Sequence, residues 1–105
     1  MVSLQFKVFA NPYPKSAEGS PYLVVLQSDV LSHYHSVVVA PLQPLSSTAS
    51  ASVFRPQFEI VGQNYVLNIL EIAPMPRRDL GRPIIELDRF RVISAYDGLI
   101  SGALL

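Results

Sequence analysis

The chain has 105 residues, half of them apolar and 15% charged, with eight Lys or Arg balancing eight Asp or Glu. This length accommodates one domain around one core, which excludes a two-domain enzyme. The apolar content contradicts intrinsic disorder, and a net charge of zero provides no overall field to bring the chain onto nucleic acid or anionic lipid without a local patch.

Cysteine is absent, which removes disulfide scaffolds, thiolate zinc sites, iron–sulfur ligation and cysteine nucleophiles together. A reducing cytoplasm fits that composition. Met1 to Gln5 show no charged leader followed by an apolar stretch. Apolar runs such as Tyr22 to Leu26 and Val37 to Pro41 fall far short of the roughly 20 residues that span a bilayer. A soluble cytoplasmic protein is expected, and its positive mean hydropathy suggests apolar surface covered by a partner.

In chain order, Leu4, Phe6 and Val8 alternate with Gln5 and Lys7, the period-two pattern of a strand with one buried face. Asn11 to Pro21 concentrates turn formers and reads as an exposed loop. Tyr22 to Leu26 predicts a second strand, apolar on both faces, so that one face meets the core and the other a helix or a second subunit. Gln27-Ser28-Asp29 breaks that run with side chains that bond nearby backbone. Val37 to Ala40 predicts a third strand, stopped by Pro41 and Pro44, and Ser46 to Ser52 is a low-complexity stretch treated as a loop.

Phe58 to Val61 and Tyr65 to Glu71 are β-prone runs joined by Gly62-Gln63-Asn64, a hairpin pattern. Ala73-Pro74-Met75-Pro76 is expected to end that ladder, because proline lacks the donor. Beyond Pro83 the period changes. Val92, Ile93, Tyr96, Leu99, Ile100, Ala103 and Leu104 fall within an arc of about 140° on a helix, leaving Arg91, Ser94, Gly98 and Ser101 on the other side. Gly98 and Gly102 weaken that helix by roughly 1 kcal/mol each relative to alanine. About five short strands and one helix indicate a mainly β (α+β) domain over residues 1–105, a small β-barrel or twisted sheet with an amphipathic C-terminal helix.

The residues offer little recognisable chemistry. His33-Tyr34-His35 would need a third ligand from Asp29 or a distant carboxylate to complete a metal site, so the stretch reads as a plain polar loop and no metal or other cofactor is expected. Gly-x-Ser-x-Gly is absent, as are the phosphate-cradling glycine motifs. Arg77, Arg78, Arg82, Arg89 and Arg91 interleave with Asp79, Glu86, Asp88 and Asp97, which reads as a solvated surface with local ion pairs rather than a phosphate-binding patch. Tyr13, Tyr22, Tyr34, Tyr65 and Tyr96 are candidate interface aromatics, at least half of them expected as core or barrel-edge residues. An interaction protein is a better default than an enzyme.

Longer segments carry a resemblance. Gln5-Phe6-Lys7-Val8-Phe9, then Tyr22-Leu23-Val24-Val25-Leu26-Gln27-Ser28-Asp29-Val30-Leu31, then Val37-Val38-Val39-Ala40-Pro41-Leu42 resemble the opening of the CcdB family of toxins from toxin–antitoxin modules. Arg55-Pro56-Gln57-Phe58-Glu59-Ile60 with Gly62 and Tyr65, the Ala73 to Pro76 stretch, and Val92 to Ala103 are similar to that family's later segments and final helix. Gln27-Ser28-Asp29 in its strand context is the most specific match.

The resemblance implies an SH3-like barrel, shared with the MazF and Kid ribonucleases, that forms a homodimer with Tyr96, Leu99 and Ile100 near the two-fold axis. It implies a non-enzymatic toxin that binds the A subunit of DNA gyrase, traps the cleaved-DNA complex and serves plasmid maintenance. A small antitoxin neutralises it, and no direct contact with nucleic acid or membrane is implied. The family's terminal Trp-Gly-Ile corresponds here to Ser101, Gly102 and Ala103, followed by Leu104 and Leu105. Only the glycine is kept. The apolar tail then provides either a different gyrase anchor or an extension of the dimer interface. The antitoxin-binding residues are not assigned, with Asn11 to Pro21 and Gln43 to Val53 as exposed candidates. Two alternatives stand beside this reading: a sequence-specific endoribonuclease on the same barrel, whose usual G-D-I and R-P-x-L/V motifs are absent here, and a non-toxic relic that binds an antitoxin.

Overall fold

The computed structural model describes residues 3–46, 49–52 and 54–102. Its elements are β1 (Val8–Ala10), a short helix α1 (Pro14–Ala17), β2 (Tyr22–Val25), β3 (Ser36–Pro44), β4 (Gln57–Ile60), β5 (Gln63–Leu67), β6 (Ala73–Pro76) and the C-terminal helix α2 (Arg89–Ser101). Every pairing is antiparallel, in the order β1-β2-β3-β5-β4, with β6 beside β3. The result is the curled sheet of a small barrel with one terminal helix, as the sequence pattern and the family resemblance led us to expect.

β3 organises the sheet. One edge pairs with β2, from Tyr22 opposite Leu42 to Val25 opposite Val39. The other edge is divided: Ser36 to Val39 face β6, and Leu42 to Pro44 face β5. The strand therefore runs through the proline expected to stop it. The Pro41 carbonyl accepts from the Asn68 amide at 2.9 Å, so the missing Pro41 donor points to the gap where β6 gives way to β5. β6 contradicts expectation for a related reason. Pro74 and Pro76 alternate with Ala73 and Met75, so both missing donors face the open edge, and the ladder continues with Arg77 donating to the His35 carbonyl at 2.7 Å. Edge strands tolerate proline in that register.

Alternation along β2 and β3 gives the sheet two dry faces. Val24, Ala40 and Leu42 join Phe58, Ile60, Leu67, Ile69 and the α2 residues Val92 and Ala95 in the larger core. Leu23, Val25, Val37 and Val39 pack with Phe9 and Met75 in a smaller one, closed by Leu4 and Leu80. The second apolar face of β2 is thus covered by the curl of its own sheet.

The first strand begins later than the alternation implied, because Phe6 adopts a positive φ of 66°. That kink buries the Phe6 ring and lets its backbone bond Val25 on one side and Leu87 on the other. Residues 84–87 line the outer edge of β1 and lead into α2. The stretch expected as an open loop after β1 contains α1, and its Asn11 is buried, with its amide donating to Ser16 Oγ at 2.9 Å and to the Ser20 carbonyl at 2.8 Å.

In α2, Asp88 caps the N-terminus by accepting from the Phe90 amide at 2.9 Å, and Gly102, at φ 69°, closes the C-terminus by donating to the Gly98 carbonyl at 3.0 Å. Gly102 serves as a left-handed cap, a position that favours glycine. The buried face is Val92, Ala95 and Gly98, with Leu99 at its margin. Gly98 therefore turns inward, against expectation, while Ile93, Tyr96 and Ile100 stay exposed.

The β4–β5 hairpin closes through Val61-Gly62, with Ile60 opposite Gln63. Both turn residues have positive φ, 48° at Val61 and 79° at Gly62. A β-branched residue is strained there, and the side chain gains nothing in return because Val61 is 75% exposed. Val61→Asn is expected to stabilise the protein by about 0.5–1 kcal/mol, read as a melting temperature raised by roughly 2–6 °C. An unchanged or lowered melting temperature contradicts the turn geometry.

Candidate functional site

The loop between β2 and β3 is built by the Gln27-Ser28-Asp29 sequence. Gln27 reaches across it, accepting from the Val38 amide at 3.3 Å and donating to the Leu31 and Ser36 carbonyls at 3.4 Å. Ser28 caps the 3-10 turn Asp29–Leu31 through Val30. Asp29 accepts from Ser3 Oγ at 2.6 Å and from the Leu4 and Gln5 amides at 3.0 and 3.3 Å, tying the N-terminal segment to the loop. The Ser3 hydroxyl, with those amides and nearby Lys7, holds the Asp29 carboxyl below its ordinary pKa despite partial desolvation.

This latched loop delivers His33-Tyr34-His35 to the end of β3, where β6 brings Arg77 and Arg78 beside it. Arg77 is fixed there, its Nε donating to the Tyr34 carbonyl at 3.0 Å and its Nη2 to Leu31 at 3.4 Å. Together with Ser32, Ser36 and the Pro74-Met75-Pro76 strand they line an open groove of about 770 Å³. The His33 ring stacks on Tyr34, centroids 4.4 Å apart and planes tilted by 36°, and Tyr34 is 54% exposed. Among the described residues no acidic side chain lines the groove. The neighbouring Asp79 accepts from the Tyr13 hydroxyl at 2.6 Å, and this bond raises the Tyr13 pKa. The groove therefore combines two imidazoles, two guanidiniums and an apolar floor. Sequence pattern alone presents these residues as a plain polar loop and a solvated surface.

The arginines do not form the ion pairs expected of them. Arg91 lies 4.2 Å over the Phe58 ring and donates to the Gln57 carbonyl, and Arg89 lies 5.6 Å over Phe6. Among the described residues no arginine pairs with a carboxylate. No three His, Asp or Glu side chains among them gather as metal ligands, and no helix is long and apolar enough to cross a membrane.

A second surface runs along α2. Phe90, Ile93, Tyr96 and Ile100 lie exposed, 75% for Phe90 and 68% for Ile100. The dimer residues implied by the resemblance divide here: Tyr96 and Ile100 belong to this stripe, whereas Leu99 packs against the larger core. Of the gyrase-contacting residues implied by the resemblance, Ser101 ends the helix, exposed, with its hydroxyl donating to the Asp97 carbonyl at 2.7 Å, and Gly102 is the cap. Ala103, Leu104 and Leu105 lie outside the described residues. A largely apolar cleft of about 470 Å³ connects the stripe to the N-terminal segment, with Phe6, Leu26, Ile72, Ile93 and Tyr96 on its walls. Of the antitoxin-binding candidates, the first segment is occupied by α1. The second begins in β3, and its residues 47, 48 and 53 lie outside the described set.

A family model, that of the CcdB protein, matches residues 5–102. No curated protein matches the sequence. Among solved structures, an endoribonuclease in complex with its cognate antitoxin from mycobacterial species superposes with a TM-score of 0.70 over 99% of this chain and 97% of that one, at 13% identity. An endoribonuclease from mycobacterial species gives 0.70 over 100% and 94%, at 12% identity. The Mycobacterium tuberculosis toxin MazF-mt6 gives 0.61 over 75% and 84%, at 21% identity. At these identities the likeness establishes the fold. It also overturns the expectation that the chain is not an enzyme, because whole chains of this architecture include endoribonucleases.

A group whose folded pKa is lowered stabilises the fold above the ordinary carboxylate range, and that contribution is lost as pH falls through the lowered value. Asp29→Asn is therefore expected to lower the urea midpoint at pH 7, by an amount equivalent to roughly 1 kcal/mol, and the gap from the parent should shrink below about pH 4. A gap that is constant or widens in acid contradicts the latch.

Proposed function

The chain belongs to the CcdB family, the toxins of toxin–antitoxin systems, and from that premise we propose that it acts as a homodimer on the A subunit of DNA gyrase, through the C-terminal end of α2, until an antitoxin neutralises it. The observation that carries this reading is the family match, which extends through α2 to its cap at Gly102. The exposed Ile93, Tyr96 and Ile100 stripe supports the dimer, since an isologous contact along one helix covers the same side chains on both copies. The departure at Ser101 removes the family's aromatic contact with an arginine, and the apolar tail becomes the anchor.

The chain is expected to inhibit supercoiling by its cognate gyrase and to accumulate cleaved DNA; unaffected supercoiling contradicts the reading. Ser101→Trp should lower the concentration needed by about two- to thirtyfold, the equivalent of one cation–π contact of roughly 0.5–2 kcal/mol. Ile100→Asp should give a monomer in sedimentation equilibrium and abolish inhibition.

The basic groove favours a second reading, an endoribonuclease on the same barrel. Metal-free RNA cleavage needs a base to take the 2′-hydroxyl proton as its oxygen bonds to phosphorus. It also needs an acid to protonate the departing 5′-oxygen, and a cation for the charge that develops between these steps. His33 and His35 offer the proton-transfer groups and Arg78 the cation. Discrete fragments from total RNA, absent with a His33→Ala/His35→Ala double variant, support this reading, and intact RNA removes it.

A further inference from the structure

We propose that the groove between residues 32–36 and β6 with its following turn is a seat for single-stranded RNA, with phosphodiester groups against Arg78 and unpaired bases on the His33–Tyr34 ring pair. The choice of RNA over another polyanion rests on the second reading above. The argument begins with charge. The sequence as a whole is neutral, yet this groove is lined by Arg77 and Arg78 with no acid among the described residues of its walls. It is the kind of local patch that a balanced composition conceals.

The two arginines do different work. Arg77 spends Nε and Nη2 on the Tyr34 and Leu31 carbonyls, which fixes the loop and places a cation beneath it. Arg78 is exposed and makes no hydrogen bond or ion pair among the described residues. The carboxylate next to it in sequence, Asp79, is engaged by Tyr13. A guanidinium left open beside a groove without acids suits a phosphate oxygen, to which it donates in a fork.

The rings select the rest of the ligand. His33 and Tyr34 are both exposed and already stacked at 4.4 Å, so their outward faces extend a π-surface next to the cation. Alternating guanidinium and aromatic contacts are how single strands are held, and each base stacked on an aromatic side chain is worth about 1–3 kcal/mol. A volume of about 770 Å³ lies within the usual range of ligand sites, roughly 300–1,000 Å³. An acidic peptide would satisfy Arg78 but would leave the ring faces without partners.

The test measures binding of a fluorescein-labelled 12-nucleotide RNA by anisotropy across a salt series. Arg78→Ala should weaken binding and reduce the salt slope by about one unit, as loss of a phosphate contact does. Tyr34→Ala should weaken binding about five- to a hundredfold at unchanged slope, and Tyr34→Phe should restore it. Arg55→Ala, the same charge change outside the groove, should leave binding as it was. Weaker binding to the same sequence as a duplex also supports the seat. No binding by the parent, equal effects of Arg55→Ala and Arg78→Ala, or poly-glutamate binding that equals RNA and ignores Tyr34→Ala would each overturn it. Incubating the same RNA separates the two ideas: groove-dependent binding without cleavage leaves the seat standing and removes the ribonuclease reading, while cleavage that is lost in the His33→Ala/His35→Ala double variant but unchanged by Tyr34→Ala does the reverse.

Discussion

The structure depends on β3 being paired along both edges by three strands. Its nine residues hold β2 on one side and hand the other from β6 to β5, and Pro41 stands where that handover leaves no donor to satisfy. The register places Ser36 opposite Pro76, so the loop entering β3 and the turn leaving β6 must meet. That meeting forms the groove. The same alternation sends Ala40 and Leu42 toward α2 and Val37 and Val39 into the smaller core. A slip of one residue would exchange the two faces and lose both surfaces together.

Much of this frame was legible in the sequence, because hydrophobic period is a local property. β2, the core of β3, the hairpin and α2 all follow from it. The misreadings share one cause, which is that sequence does not show what lies on each side of an element. Pro41, Pro74 and Pro76 looked like strand breakers, but a missing donor matters only on a paired edge. The apolar arc of α2 was correctly located, yet the core covers only its Val92 and Leu99 side and leaves Ile93, Tyr96 and Ile100 outside. The Phe6 kink and the buried Asn11 depend on distant partners. The groove was the hardest to foresee, since Arg77 reaches the Tyr34 carbonyl across 43 positions. Gln27-Ser28-Asp29, the most specific part of the family resemblance, proves to be the latch that shapes the loop of that groove.

The two surfaces differ in kind. The α2 stripe is apolar and continuous along a helix, suited to a protein partner. The groove is cationic and aromatic, suited to an unpaired strand. A small barrel does not dictate its chemistry, which comes from the sites mounted on it, and full-length likeness to endoribonucleases at 12–13% identity is compatible with either surface being the working one. The family match over residues 5–102 weighs toward the helix end, where the resemblance sets Ser101 against the family's aromatic.

The most direct test of action on gyrase is to express the chain in a sensitive host, select survivors that still make the intact protein, and sequence their genomes. The account predicts resistance substitutions concentrated in the gene for the gyrase A subunit. Survivors with unaltered gyrase genes, or cells whose RNA is cut into discrete fragments while supercoiling stays normal, would contradict it.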